Sequence, residues 1–113
     1  MRAVVQRVKS SSVSVDGKII SEIEKGLMVL LGVEEDDDEK DLEYILKKVT
    51  KLRIFDDEDG VMNKSLIDYN LEILVVSQFT LYGDVRKGNR PSYVRSAEFD
   101  DGLDLYEKFI EAL

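Results

Sequence analysis

The stretch best equipped for chemistry is Val75-Val76-Ser77-Gln78-Phe79-Thr80-Leu81-Tyr82-Gly83, where an apolar, strand-like run passes directly into Ser77, Gln78 and Thr80. Hydroxyl and amide groups emerging together from the end of a buried strand can converge on a ligand. The same pattern also suits a strand edge whose polar side chains satisfy neighbouring backbone. A second group is Arg86, Lys87 and Arg90, inside Val85 to Arg95, a stretch with four basic residues and no acid. It fits phosphate, and equally a solvated loop.

Two absences narrow the chemistry open to these groups, because the 113 residues include no Cys and no His. Without thiolate or imidazole there is no Ser-His or Cys-His pair, no zinc site built on either residue, and no disulfide. Gly83 and Gly88 have P-loop spacing, but Asn89-Arg90 stands where Lys-Ser/Thr must meet phosphate and magnesium. Asp56-Asp57-Glu58-Asp59-Gly60 looks like a calcium loop, yet alignment on Gly60 puts Phe55 at the first ligand position and Leu66 at the last; it reads as a turn. Asn63-Lys64-Ser65 is a glycosylation sequon without meaning in the cytoplasm. Neither a metal nor a cofactor is expected.

The elements that must position these residues are legible from pattern. Arg2 to Val8 alternates with period two and reads as an opening strand. Ser12 to Val15 and Lys18 to Ser21 flank Asp16-Gly17, residues that tolerate the positive φ of a two-residue hairpin turn. Leu27 to Val33 is apolar except for Gly32, as expected of a central strand covered on both faces. Leu42, Ile45, Leu46, Val49 and Leu52 line one face of a helix, with Asp38 as its cap. Arg53 to Phe55 and Val61 to Asn63 form a second hairpin, Leu71 to Val76 another buried strand, and Leu103, Tyr106, Phe109, Ile110 and Leu113 a second amphipathic helix.

With 43% hydrophobic residues and no linker or repeat, residues 1–113 read as a single domain. The net charge of −8 is local, since Glu34 to Glu43 holds eight carboxylates and one lysine; this is read as a solvated helix start rather than a magnesium site. The longest apolar run, Leu27 to Leu31, falls far short of the roughly 20 residues of a membrane helix. The charged opening residues are unlike a secretion signal, so a cytoplasmic location is expected.

Ser77-Gln78-Phe79-Thr80-Leu81 resembles the SQxxL signature of D-aminoacyl-tRNA deacylases. The likeness runs in order along the chain through Met1 to Val8, Gly26-Leu27, Leu30 to Val33, Leu52 to Phe55, Met62-Asn63, Leu74 to Leu81, Lys87-Gly88 and Arg90-Pro91-Ser92. It implies a three-layer α/β fold of mixed β-sheet strands and two helices. It also implies a homodimeric enzyme, its site near the subunit interface, that proofreads translation by hydrolysing the ester between tRNA and a D-amino acid, or glycine mischarged on alanine tRNA.

By the resemblance, Ser77, Gln78, Phe79 and Thr80 form the catalytic segment, with the amides of Gln78 and Phe79 as an oxyanion hole. Leu81, Arg7, Arg86, Lys87 and Arg90 are substrate-binding candidates. Thr80 matches a residue once considered a nucleophile, but lacks a base to activate it and receives a pocket role. The resemblance implies instead that the ribose 2′-hydroxyl of the substrate activates water. The family's Asn-x-Gly-Pro motif, which excludes L-amino acids and which the counterpart of Arg7 steadies, is absent, since the only proline is Pro91. Together with a last helix that ends on Leu113 without a C-cap signal, this leads to the expectation that the chain is C-terminally incomplete, its final strands missing; the alternative is a member that has lost its chiral filter. Two other readings stay open: a non-catalytic RNA-binding module using loop 85–95, and a general esterase.

Overall fold

In the computed structural model, which describes residues 1–113, β1 (Arg2–Val8), β2 (Ser11–Val15), β3 (Lys18–Ile23) and β4 (Gly26–Gly32) precede α1 (Glu39–Lys51). They are followed by β5 (Phe55–Asp56), β6 (Met62–Lys64), α2 (Leu66–Tyr69), β7 (Glu72–Ser77), a 3₁₀ turn (Phe79–Tyr82) and α3 (Phe99–Ala112). The fold is α/β. The apolar run is the central strand of a three-stranded sheet ordered β1-β4-β7. Leu27, Val29 and Leu31 have no exposure, while Met28 and Leu30 are half-buried, so one face of β4 is fully covered and the other in part.

The chain packs as two compact units, whose boundaries cut through the long strands. One comprises Val5–Val29 and Lys47–Val75. Its β2–β3 hairpin turns at Asp16 and Gly17, both at positive φ (51° and 79°), as the dipeptide predicts. Its β5–β6 hairpin turns through Asp57, whose carboxylate accepts the amides of Asp59 and Val61 at 2.9 and 3.0 Å and so closes the loop. The sequence reading missed α2, one turn long, although its signal is present: Ser65 and Asp68 form a reciprocal capping box. Ile23, Leu27, Val29, Val49, Phe55, Leu66 and Leu74 are buried in this unit.

The other unit comprises Met1–Val4, Leu30–Leu46 and Val76–Leu113. Asp38 caps α1 as expected, accepting from the amides of Lys40 and Asp41 at 2.9 and 3.3 Å while Asp41 accepts from the amide of Asp38. The acidic run is less solvated than its composition implies. Asp37 is largely buried, accepting the Met1 ammonium on one oxygen and the Glu34 amide on the other, both at 2.7 Å. Helix α3 begins a turn earlier than its apolar stripe predicts, and it buries Leu105 and Phe109 while Leu103 and Ile110 stay about 40% exposed. No helix is long and apolar enough to cross a membrane.

Candidate active site

β7 ends at Ser77, and the chain then tightens into the 3₁₀ turn 79–82. What turns it is pairing with β4: the Gln78 amide donates to the Leu31 carbonyl at 2.8 Å, the last such bond before the chain leaves the sheet. Leu81 then donates to the Gln78 carbonyl, and Gly83 to that of Thr80. The amides of Phe79 and Thr80 lead the turn, where no preceding carbonyl lies within reach, and neither donates to a main-chain acceptor. The open pair of donors is therefore Phe79 and Thr80, one residue on from the pair that the resemblance implies.

Side chains hold this turn from several directions. The Gln78 amide group donates to the Thr80 hydroxyl. The Phe79 ring stands edge-on to Tyr93, with centroids 5.3 Å apart, and the Phe79 carbonyl accepts from the Ser96 hydroxyl at 3.1 Å. Leu81 is half-buried, and its carbonyl accepts from the Arg2 guanidinium at 2.9 Å. That guanidinium also lies 4.6 Å from the centroid of Tyr82, whose ring is buried. Burial, together with Asp37 and Glu34, pushes the Tyr82 phenol up to about 12, so it stays protonated and acts as packing rather than as an acid or base.

A cavity of about 570 Å³ opens beside the turn, lined by Val33, Ser77 and Phe79 and by Ala97, Glu98 and Phe99. Gly102, Leu103 and Tyr106 of α3 close its end. Most of this wall escaped the sequence reading, which took Leu103 and Tyr106 only as helix packing. The residues from Ala97 onward reach the site because the Ala97 amide donates to the Val33 carbonyl, a pairing no local pattern announces. Gln78, Thr80 and Leu81 support the turn without lining the cavity.

The basic loop is a separate feature of the same unit. The amide and carbonyl of Asp84 pair with the carbonyl and amide of Ser92 at 2.8 and 2.9 Å, closing its neck. Arg86 is not a free cation: Asp84 grips its guanidinium at 2.7–3.1 Å and accepts its amide as well. Those bonds hold the Asp84 carboxyl down to about 2. Arg95 is likewise paired, with Glu34 at 2.7 Å. Lys87 and Arg90 are exposed and make no ion pair. Arg7 lies in the other unit, 3.5 Å from Asp56.

The sequence profile of the D-Tyr-tRNA(Tyr) deacylase family matches residues 4–113. The D-aminoacyl-tRNA deacylase of Thermosipho africanus is 59% identical over 112 residues, an alignment that covers 99% of this chain and 75% of that protein. Its counterpart in Clostridium novyi is 58% identical over 111 residues, covering 98% and 74%. A solved structure of the c-Myc DNA unwinding element binding protein superposes with a TM-score of 0.95 at 45% identity, over 100% of this chain and 76% of that one. A probable eukaryotic D-amino acid tRNA deacylase shares the fold, with a TM-score of 0.82 at 22% identity over 96% and 64%. This chain belongs to the D-aminoacyl-tRNA deacylase family.

Proposed function

We propose that the chain hydrolyses the ester joining a D-amino acid, or glycine carried by alanine tRNA, to the terminal ribose of tRNA, acting in the cytoplasm as a proofreading enzyme. The observation that carries this reading is a pair of open main-chain donors, Phe79 and Thr80, on a turn whose Phe79 lines an apolar cavity, in a family member without Cys or His. Ester hydrolysis develops negative charge on the carbonyl oxygen, and preorganised amides about 3 Å away stabilise it without any proton transfer. The 2′-hydroxyl of the substrate's ribose activates the attacking water. The bond between the carbonyl carbon and the ribose 3′ oxygen then breaks, that oxygen takes up the proton given up by the water, and the amino acid and tRNA are released. Thr80, whose hydroxyl oxygen is engaged by Gln78 and has no base beside it, lines up the turn and does not attack.

In this reading residues 1–113 act as one deacylase domain, and two copies associate. The β2–β3 hairpin, with Ile19 and Ile20 58% and 65% exposed, is suited to such a contact. Incubation with D-tyrosyl-tRNA and with a nitrophenyl ester tests the reaction: hydrolysis of the first and not the second is expected. Turnover of both would favour a general esterase, and binding without turnover a non-catalytic RNA-binding module.

The loop 84–92 supplies phosphate contacts, but through two charges rather than three. Because Asp84 neutralises Arg86, the double variant Lys87→Ala/Arg90→Ala should flatten the dependence of log affinity on log salt by about two units, and Arg86→Ala by clearly less than one. Titrations of several tRNAs at graded salt measure it. An unchanged slope in the double variant would return the loop to a solvated surface.

A further inference from the structure

We propose that Ser96 is a positioning residue for the reaction, its hydroxyl aiming and polarising the peptide that carries the open N–H of Thr80, an inference that rests on the deacylase reading of the turn 79–82. The bonds inside the turn, Leu81 amide to Gln78 carbonyl and Gly83 amide to Thr80 carbonyl, fix its shape. They do not fix its place. That depends on bonds from outside, of which three reach the main chain. The Gln78 amide donates to the Leu31 carbonyl at 2.8 Å, the Ser96 hydroxyl to the Phe79 carbonyl at 3.1 Å, and the Arg2 guanidinium to the Leu81 carbonyl at 2.9 Å.

A peptide unit is planar, so a bond at its carbonyl also aims the N–H on its far side. The Phe79 carbonyl and the Thr80 N–H belong to one unit, and the outside bond on that unit comes from Ser96. A donor on the carbonyl also draws charge through the amide and makes its N–H a stronger donor toward an oxyanion. Ser96 is itself held. Its amide donates to the Tyr93 carbonyl at 3.0 Å, the Arg95 carbonyl accepts from the Glu35 amide at 3.0 Å, and the Ala97 amide donates to the Val33 carbonyl at 2.9 Å. The Arg95–Glu34 ion pair at 2.7 Å ties the same strap to the end of β4, and the Tyr93 ring packs against Phe79. Arg2 supplies a comparison, since the unit it binds lies two further along the chain than the Thr80 donor.

The test pairs kinetics with nitrogen-15 NMR of the protein without substrate. Ser96→Ala should move the Thr80 amide nitrogen resonance upfield and leave that of Phe79 nearly in place. On D-tyrosyl-tRNA it should lower kcat about tenfold with KM little changed, less than the hundredfold or more that follows loss of a whole oxyanion donor. Its melting temperature should stay within a few degrees, since one half-buried hydroxyl is removed. Ser96→Thr, which keeps the hydroxyl, should restore most of the rate, and Arg2→Ala should cost clearly less in kcat than Ser96→Ala. A Thr80 resonance that stays in place in Ser96→Ala, or an unchanged kcat where wild type is active, would overturn the proposal, as would an equal loss of kcat in Arg2→Ala. A resonance that moves as expected in a protein that hydrolyses no D-tyrosyl-tRNA would instead overturn the deacylase reading alone.

Discussion

Transfer RNA ending in 2′-deoxyadenosine should be hydrolysed at least about a hundredfold more slowly than the same tRNA ending in adenosine, while Thr80→Ala keeps most of the wild-type rate. Both expectations come from one feature of the site. The donors on the turn are main-chain amides, which stabilise an oxyanion but cannot take a proton from water. No histidine or cysteine exists to do so. The only titratable group in the cavity wall besides Glu98 is Tyr106, whose phenol burial pushes upward, away from the range of a useful base. In the proposed mechanism the proton acceptor is the substrate's own hydroxyl, and removing it removes the activation of water as well as one hydrogen bond. Thr80 contributes its amide to the turn, and alanine retains that amide. Single-turnover rates for the two tRNAs and for the variant measure the contrast. An acyl group trapped on Thr80 in mass spectrometry would show that the hydroxyl does attack, and would sink the mechanism.

Two glycines of β4, six residues apart in sequence, should respond oppositely to alanine. At Gly26 a Cβ would overlap the carbonyl oxygen of Glu72 and come within 2.7 Å of its carbon, and both atoms belong to the backbone of β7. Neither can rotate away, so the two strands must part. A loss of about 3 kcal/mol or more is expected, lowering the melting temperature by more than about 10 °C. At Gly32 the Cβ would meet the Gln78 carbonyl at 3.2 Å, the Tyr82 ring at 3.2 Å and Leu81 Cβ at 3.3 Å, all three on or just before the turn 79–82. A shift of a few tenths of an ångström relieves these contacts while leaving the strands paired. In the proposed mechanism it also displaces the amides of Phe79 and Thr80 from the oxyanion. Gly32→Ala should therefore keep its melting temperature within a few degrees and lose about tenfold in kcat, with KM for tRNA little changed. Thermal denaturation beside steady-state kinetics separates the two. A Gly32→Ala protein as active as wild type would show that the turn tolerates displacement.

Local sequence was enough for features whose physics is local. Asp16-Gly17 closes its hairpin because both residues accept positive φ, and Asp38 caps α1 because its carboxylate reaches amides two and three residues on. The apolar run of β4 marks a central strand, because a strand flanked by others is covered on both faces, here fully over Leu27, Val29 and Leu31 and in part over Met28 and Leu30. The family was legible too, through Ser77 to Leu81 and the motifs that accompany it along the chain. Even so, the cap formed by Ser65 and Asp68 is the local signal of α2, since a four-residue helix leaves no periodicity.

The composition of the site was decided by tertiary structure. Which amide of Ser77 to Thr80 is open depends on where β4 ends alongside: the Leu31 carbonyl takes the Gln78 amide and leaves Phe79 and Thr80 without a partner. Which arginines carry free charge depends on acids outside the basic stretch, Asp84 just before it for Arg86 and Glu34 far earlier for Arg95. That Glu98 lines the same cavity as Ser77 depends on the Ala97 amide reaching Val33. Residue type determines which bonds a group can make, but whether a donor or a charge is already engaged depends on the segment packed beside it. For this site that segment is distant in sequence.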